Sequence, residues 1–218
     1  KLESRRGMIK AIFWDNDGVL VDTEGIFFMA NQTILAGLGI SLRLEQFEEI
    51  SLIRGQSVLR LAANPETDSF DKLRRNRDAL YADLLIREPL VIDGVREVLA
   101  SLKGKYVMGI VTSSGHEHFE IIHRQSGLLP YFHFVLTLKD CPYTKPHPGP
   151  YYKAIALSGF APEECLVIED SPRGLAAATS AGLRCIVIPS KFTCNHDFAG
   201  ACKVLDSIKG LPAFLKEF

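Results

Sequence analysis

Short, continuous apolar runs recur along the chain and stop against polar or charged residues: Ala11–Trp14, Tyr106–Val111, Leu166–Ile168 and Cys185–Ile188. Runs of this kind, rich in Val and Ile and not alternating, predict strands buried on both faces, as in a parallel sheet. His133–Leu138 predicts a fifth strand and Lys203–Leu205 a sixth. Most of the intervals between them have helical spacing. Ser114-Gly-His-Glu117 has the form of a capping box and predicts a helix running to about Gln125. Ser171-Pro172 sets a capping hydroxyl before a proline at the first helical position, and Gly182 is placed to end that helix. Strands alternating with helices predict an α/β fold: an open, mostly parallel sheet with helices on both faces.

One stretch breaks the alternation. From Glu24 to Pro89 no segment reads as a strand, while Ile26–Ala36, ended by Gly37 and Gly39, and Phe70–Ile86 have helical spacing. Roughly 65 residues without a strand far exceeds a strand-to-strand crossover, so an inserted all-helical domain is expected. The expected organisation is a core of residues 8–22 and 90–218 and a helical insert of 23–89. Residues 1–7 are read as a tail before a natural start at Met8. The polar KLESRRG opening lacks the apolar stretch of a signal peptide.

Composition narrows the function class. With 218 residues, 47% hydrophobic and 23% charged, the chain can bury a substantial core. A formal net charge of -1 gives no reason to expect nucleic acid or an anionic membrane as a partner. No apolar run is long enough to span a bilayer. The five cysteines form no C-x-x-C pair, and Cys165 and Cys185 lie in apolar runs. Buried free thiols in a reducing, cytoplasmic compartment are expected. Nothing such as a heptad seam suggests obligate assembly, so a monomer is the default.

In open parallel sheets ligands bind beyond the carboxyl ends of the strands. Asp15-Asn16-Asp17 follows the first predicted strand, Thr112-Ser113-Ser114 the second and Glu169-Asp170 the fourth, with Thr144-Lys145-Pro146-His147-Pro148 between the third and fourth. Acids, hydroxyls and one lysine therefore converge on one edge. An acidic cluster repels itself without a cation, and a few hard oxygen ligands suit Mg²⁺.

DNDGVLVD, VTSS, the lysine of TKPHPGPY, and IEDSPRG, in this order and each after a strand or on the loop before one, resemble the four motifs of the haloacid dehalogenase superfamily of phosphohydrolases. The resemblance covers nearly the whole chain from Met8. It implies a Rossmann-like catalytic core with an inserted helical cap and an activity on a small phosphorylated metabolite. Carried over residue by residue, it makes Asp15 the nucleophile that forms an aspartyl-phosphate, and Asp17 the general acid and base. It implies Mg²⁺ held by Asp15, the backbone carbonyl of Asp17 and Asp170, with Glu169 as direct or supporting ligand. Lys145, Thr112 and the backbone N–H of Ser113 would bind the phosphoryl oxygens.

Other residues carry competing readings. Asp22 suits a structural role after the active loop, and Ser171 reads equally well as a helix cap. His116, His118, His123 and His133 read as non-functional, with His123 an exposed helix position; His147, beside Lys145, is the histidine placed to reach the cleft. Arg74-Arg75-Asn76-Arg77 reads as the solvated face of an insert helix. Arg54 and Gln56 lie in a loop where Gly55 breaks the helical pattern, and the resemblance makes that loop the reader of the substrate beyond its phosphate. An ordinary exposed loop arginine is the competing reading.

Within the superfamily, Asp17 argues against a haloacid dehalogenase proper. A phosphonoacetaldehyde hydrolase, which needs a Schiff-base lysine from the cap, is set aside as well: Lys72 is the only lysine between Asp22 and Pro89, and Asp17 stands where that group lacks an acid. The favoured function is Mg²⁺-dependent hydrolysis of a small phosphate monoester. The alternatives are a β-phosphoglucomutase-like phosphosugar mutase and a catalytically silent phosphometabolite-binding module.

Overall fold

The structure, a computed structural model, describes residues 8–62 and 68–217; the expected tail at 1–7 lies outside the described residues. In chain order the main elements are β1 (Ala11–Trp14), α1 (Glu24–Ala36), α2 (Leu44–Phe47), α3 (Asp68–Leu85), α4 (Val95–Leu102), β2 (Val107–Val111), α5 (His116–Ser126), β3 (Phe134–Leu136), α6 (Gly149–Ser158), β4 (Cys165–Glu169), α7 (Pro172–Ser180), β5 (Arg184–Val187), β6 (Lys203–Val204) and α8 (Leu211–Phe214). They divide into two compact units, one of residues up to Val21 together with those from Val91 on, the other Asp22–Leu90. Among the described residues no helix is long and apolar enough to cross a membrane.

The first unit is an α/β core on a six-stranded sheet of order β3-β2-β1-β4-β5-β6. Every pairing is parallel, with Phe13 opposite Gly109 on one side and Val167 on the other. Parallel strands buried on both faces explain the continuous apolar runs: all four residues of β1 are buried. Side chains alternate between the faces. Ala11, Phe13, Val111, Leu136, Cys165, Val167 and Val187 join one cluster with Tyr151 and the small residues Ala177 and Ala178 of α7. The intervening Ile12, Trp14, Met108, Ile110, Leu166 and Ile168 are buried on the other face. The chain leaves β1 towards β2 on one side and later returns to β4 on the other. The switch point therefore lies between β1 and β4, where such sheets open a crevice.

Boundaries shift where local hydrogen bonds intervene. The third strand stops at Leu136 because Thr137 caps the next turn, its N–H and hydroxyl both 2.9 Å from Asp140 Oδ2. Ser171 caps α7 through its hydroxyl, which accepts the Gly174 N–H at 3.1 Å, and Gly182 follows with φ +76°. The capping box expected at Ser114 is absent. Helix α5 starts at His116 after an extended Gly115, with no side-chain cap, because the Ser114 hydroxyl is bonded to Asp17 instead. All five cysteines are free. Cys141, Cys165 and Cys185 are buried, the last two in β4 and β5, while Cys194 and Cys202 are exposed.

The second unit is helical, packed around Leu35, Leu42, Phe47, Val58 and Leu59. Among its described residues Arg77 departs from the sequence reading, expected on a solvated face but 9% exposed. Its guanidinium lies 4.6 Å from the Phe27 ring centroid and donates to Asn31 Oδ1 at 3.3 Å, so α1 supplies both an aromatic face and an acceptor.

Gly109 has no spare room: a Cβ there would lie 2.2 Å from the Phe134 ring. Gly109→Ala is expected to lower stability by about 1–3 kcal/mol in denaturant unfolding, as overpacked cores do, and trimming the ring with Phe134→Leu should recover part of it.

Candidate active site

Asp15 follows directly on strand β1, and its N–H still bonds Ile168 O at 2.9 Å, so the carboxylate is held at the rim of the sheet beside the end of β4. The period of two continues through both strand ends: Asp15 follows Ala11 and Phe13, and Glu169 follows Cys165 and Val167, onto the face occupied by Tyr151. Lys145 reaches this point from the loop after β3. Its Nζ is 2.6 Å from Asp15 Oδ1, 2.6 Å from Glu169 Oε1 and 2.7 Å from Val111 O. The Tyr151 hydroxyl donates to Glu169 Oε1 at 2.7 Å. Glu169 Oε2 lies 3.3 Å from both the Asp170 N–H and the Ser171 hydroxyl. Arg173 donates to the backbone carbonyl of Lys145, which ties the lysine loop to α7.

The electrostatics follow from this crowding. Burial, then the charge of Glu169, holds the Asp15 carboxyl well above the usual carboxylate range, with Lys145 opposing. Burial alone would discharge Lys145, but the adjacent Asp15 and Glu169 outweigh it and hold its pKa above the ordinary lysine value. Tyr151 is raised well above its usual value by burial and by Glu169, so it remains a donor.

Carboxylate oxygens of Asp15, Glu169 and Asp170 lie within 4.8 Å of one another, and all three residues are buried. One ammonium does not neutralise three carboxylates in a dry site, so the donor set fits a hard divalent cation. The backbone is shaped for it: Gly18, at φ +80°, lets the chain turn away, and a Cβ there would stand 2.3 Å from Asp170 Oδ2.

Asp17 points elsewhere. Its Oδ2 accepts the Ser114 hydroxyl at 2.6 Å and the Thr112 hydroxyl at 3.2 Å, while Thr112 Oγ1 accepts the Ser114 N–H at 3.0 Å. Ser113 Oγ is buried without a hydrogen-bond partner. Asp15, Asp17, Thr112, Ser113, Lys145, Glu169 and Asp170 thus gather at one edge from four separate segments.

The sequence matches the haloacid dehalogenase-like hydrolase family over residues 12–188. The chain belongs to that family. It is accordingly an enzyme of the phosphoric monoester hydrolase class. It is 31% identical over 193 residues to the phosphoglycolate phosphatase of Nitrosococcus oceani, covering 85% of each protein. It is 30% identical over 195 residues to hexitol phosphatase B of Escherichia coli, covering 87% of each. The crystal structure of CbbY from Rhodobacter sphaeroides in complex with phosphate superposes with a TM-score of 0.81 at 27% identity, covering 94% of this chain and 96% of that one.

The remaining candidates of this haloacid dehalogenase-like chain lie in different settings. Arg54 is exposed and engaged within the helical unit, its guanidinium 2.6 Å from Glu49 Oε1. The Gln56 N–H donates to Ile50 O at 2.8 Å, and Gly55 between them has φ +64°. Asp22 is exposed, with its N–H on Leu90 O at 2.8 Å. His147 stacks on Tyr143, ring centroids 4.0 Å apart, and its Nδ1 accepts the Gly149 N–H at 3.0 Å.

Three contributors escaped the sequence reading. Ser114 reads from the sequence as a helix cap, and Tyr151 is given no role there. His123, expected to be exposed, is 4% exposed and bonded to Asn16 and Ser126. Its place on α5, four residues after Phe119 and one after Ile122, was the available sign that it faces inward.

Two predictions follow from the charges. Lys145→Met should lower stability by about 3–5 kcal/mol in metal-free protein, because it strands buried carboxylates; chemical denaturation reads this. Burial, slightly opposed by Asp17, lowers the His123 pKa to about 4. A histidine neutral in the fold but ordinary when unfolded stabilises above about pH 6.5, and that contribution is lost as pH falls towards 4. The stability difference between wild type and His123→Gln should therefore grow as pH rises from 4 to 6.5 and flatten above it.

Proposed function

We propose that the protein is a Mg²⁺-dependent phosphatase that hydrolyses a small phosphate monoester, a sugar phosphate, phosphoglycolate or similar metabolite, through an aspartyl-phosphate on Asp15. The observation that carries this reading is the meeting of Asp15, Lys145 and Asp170 at one strand edge with a second carboxylate, Asp17, held by hydroxyls beside them. The names of the relatives at 30–31% identity, which are phosphatases, support hydrolysis over phosphosugar transfer.

In this reading Asp15 attacks phosphorus in line, and the ester P–O bond breaks as Asp17 passes its proton to the leaving oxygen. Asp17, now a carboxylate, takes a proton from water as the water attacks phosphorus and the bond to Asp15 breaks, releasing phosphate. Lys145 neutralises phosphoryl charge and restrains Asp15, and Thr112 and the Ser113 N–H donate to the phosphoryl oxygens. A hydroxyl has one proton to donate. When Thr112 turns it to the phosphoryl group, its bond to Asp17 is given up, and Asp17 keeps the shorter bond from the Ser114 hydroxyl.

Asp15, Asp170 and the backbone carbonyl of Asp17 would hold Mg²⁺, which would supply neutralisation of the transferring group's charge. Glu169 takes the supporting role here, since Lys145, Tyr151, Ser171 and the Asp170 N–H already occupy its two oxygens. Arg54 and Gln56 carry recognition of the rest of the substrate, on the strength of an exposed planar donor fork and an amide.

Phosphate release from a panel of sugar phosphates, phosphoglycolate and nucleotides with Mg²⁺ tests the reading. Turnover is expected in the wild type and a loss of at least a thousandfold in Asp15→Asn. Glucose 6-phosphate formed from β-glucose 1-phosphate in a bisphosphate-primed reaction would instead establish a mutase, and silence across the panel a binding module. In Asp17→Asn turnover should be lost while the Mg²⁺ dissociation constant, read by calorimetry, stays within about threefold, because the side chain is bonded to hydroxyls and only the carbonyl serves the ion.

A further inference from the structure

Asn16 lies between the two aspartates of the active loop and faces the other way. The alternation that sends Asp15 to the Lys145 side sends Asn16 after Ile12 and Trp14 to the opposite face of the sheet. It is completely buried. Its backbone carbonyl accepts the N–H groups of Leu20 at 2.9 Å and Val21 at 3.1 Å, so it pins the turn by which the chain leaves the site. Its side-chain Oδ1 is 2.7 Å from His123 Nε2, and His123 Nδ1 is 2.8 Å from Ser126 Oγ.

The protons along this chain have one consistent direction. An amide oxygen only accepts, so Nε2 carries the hydrogen and Nδ1 accepts from Ser126. Ser126 Oγ in turn accepts the Leu128 N–H at 3.1 Å, where α5 ends. The segment leading into the same helix meets the loop a second time through Ser114, 2.6 Å from Asp17 Oδ2. The loop bearing both aspartates is thus tied to α5 at its two ends. Stability does not require this: an apolar pair of similar volume would fill the space without three polar groups to satisfy.

We propose that the Asn16–His123–Ser126 chain is a positioning device for the phosphoryl transfer inferred above, anchoring the active loop on α5 so that Asp15 and Asp17 meet the same phosphoryl group. The inference rests on the roles given to those two aspartates. His123 touches neither substrate nor ion and acts through Asn16. A displacement of about 1 Å in reacting groups can cost on the order of a hundredfold in rate, so a loop held at one fewer point loses turnover before it loses binding.

The test compares wild type, His123→Leu, Asn16→Leu and the double variant by thermal midpoint, kcat and KM, and by the Mg²⁺ dissociation constant from calorimetry. His123→Leu strands Asn16 Oδ1 and should lower both the midpoint and kcat. The double variant removes both polar partners and should recover the midpoint to within a few degrees. Its kcat should stay at least tenfold low, with KM within about twofold and Mg²⁺ binding at least threefold weaker. A stable double variant with wild-type kcat and Mg²⁺ affinity would overturn the proposal and reduce the chain to satisfied core polarity. If the wild type hydrolyses no ester, the phosphatase reading fails, and the Mg²⁺ affinities still decide the anchoring of the loop. ¹⁵N-histidine spectra of the wild type should show His123 protonated on Nε2 alone at pH 7; the opposite tautomer would overturn the proposal even where every variant misfolds.

Discussion

The Lys145 ammonium, shared between Asp15 and Glu169, is the contact on which the rest of the site depends. Three carboxylates buried at the end of two adjacent strands repel one another, and a single lysine does not neutralise them. Much of the surrounding sequence serves to hold that unstable arrangement in place. Tyr151 donates from the core of α6, Ser171 donates as well as capping α7, and Arg173 fixes the lysine loop through its backbone. Gly174 belongs to the same group, since a Cβ there would lie 1.9 Å from the Glu169 carboxyl carbon. The charge that remains is what a cation and a phosphoryl group are suited to meet.

The sheet makes this arrangement reproducible. Period-two alternation carries Asp15 and Glu169 to one face, where a buried cation and phenol await them, and Asn16 to the other, where α5 offers His123. Two polar networks with different partners therefore sit back to back on one loop, without competing for the same donors. The hydroxyls of Thr112 and Ser114 join them at Asp17. Placing strand ends at the switch point between β1 and β4 brings residues 130 and 97 positions apart in the chain into bonding distance.

The strands were legible because parallel strands covered on both faces leave unbroken apolar runs, and the acids at their ends stood out against those runs. The positions of Asp15, Glu169 and Asp170 at one edge follow from the same pattern. What stayed hidden depends on contacts across elements. Ser114 satisfies a local capping rule, yet its hydroxyl is taken by an aspartate ninety-seven residues away in sequence. Arg77 sits in a basic run that reads as solvated, but an asparagine and an aromatic ring on α1 draw it inward. His123 and Tyr151 are amphipathic side chains whose polar atoms point at partners that no local periodicity specifies. Local spacing reports which face is covered, not which polar atom waits beneath the cover.

Whether the buried charge at Asp15 is there to receive a phosphoryl group can be measured directly. Single-turnover reactions with Mg²⁺ and the best phosphate ester, quenched in acid and analysed by peptide mass spectrometry, should show a transient gain of about 80 Da on the peptide holding Asp15, formed and lost at rates matching turnover. A hydrolysing enzyme in which that peptide never gains phosphate, and in which Asp15→Asn keeps its turnover, would contradict the account.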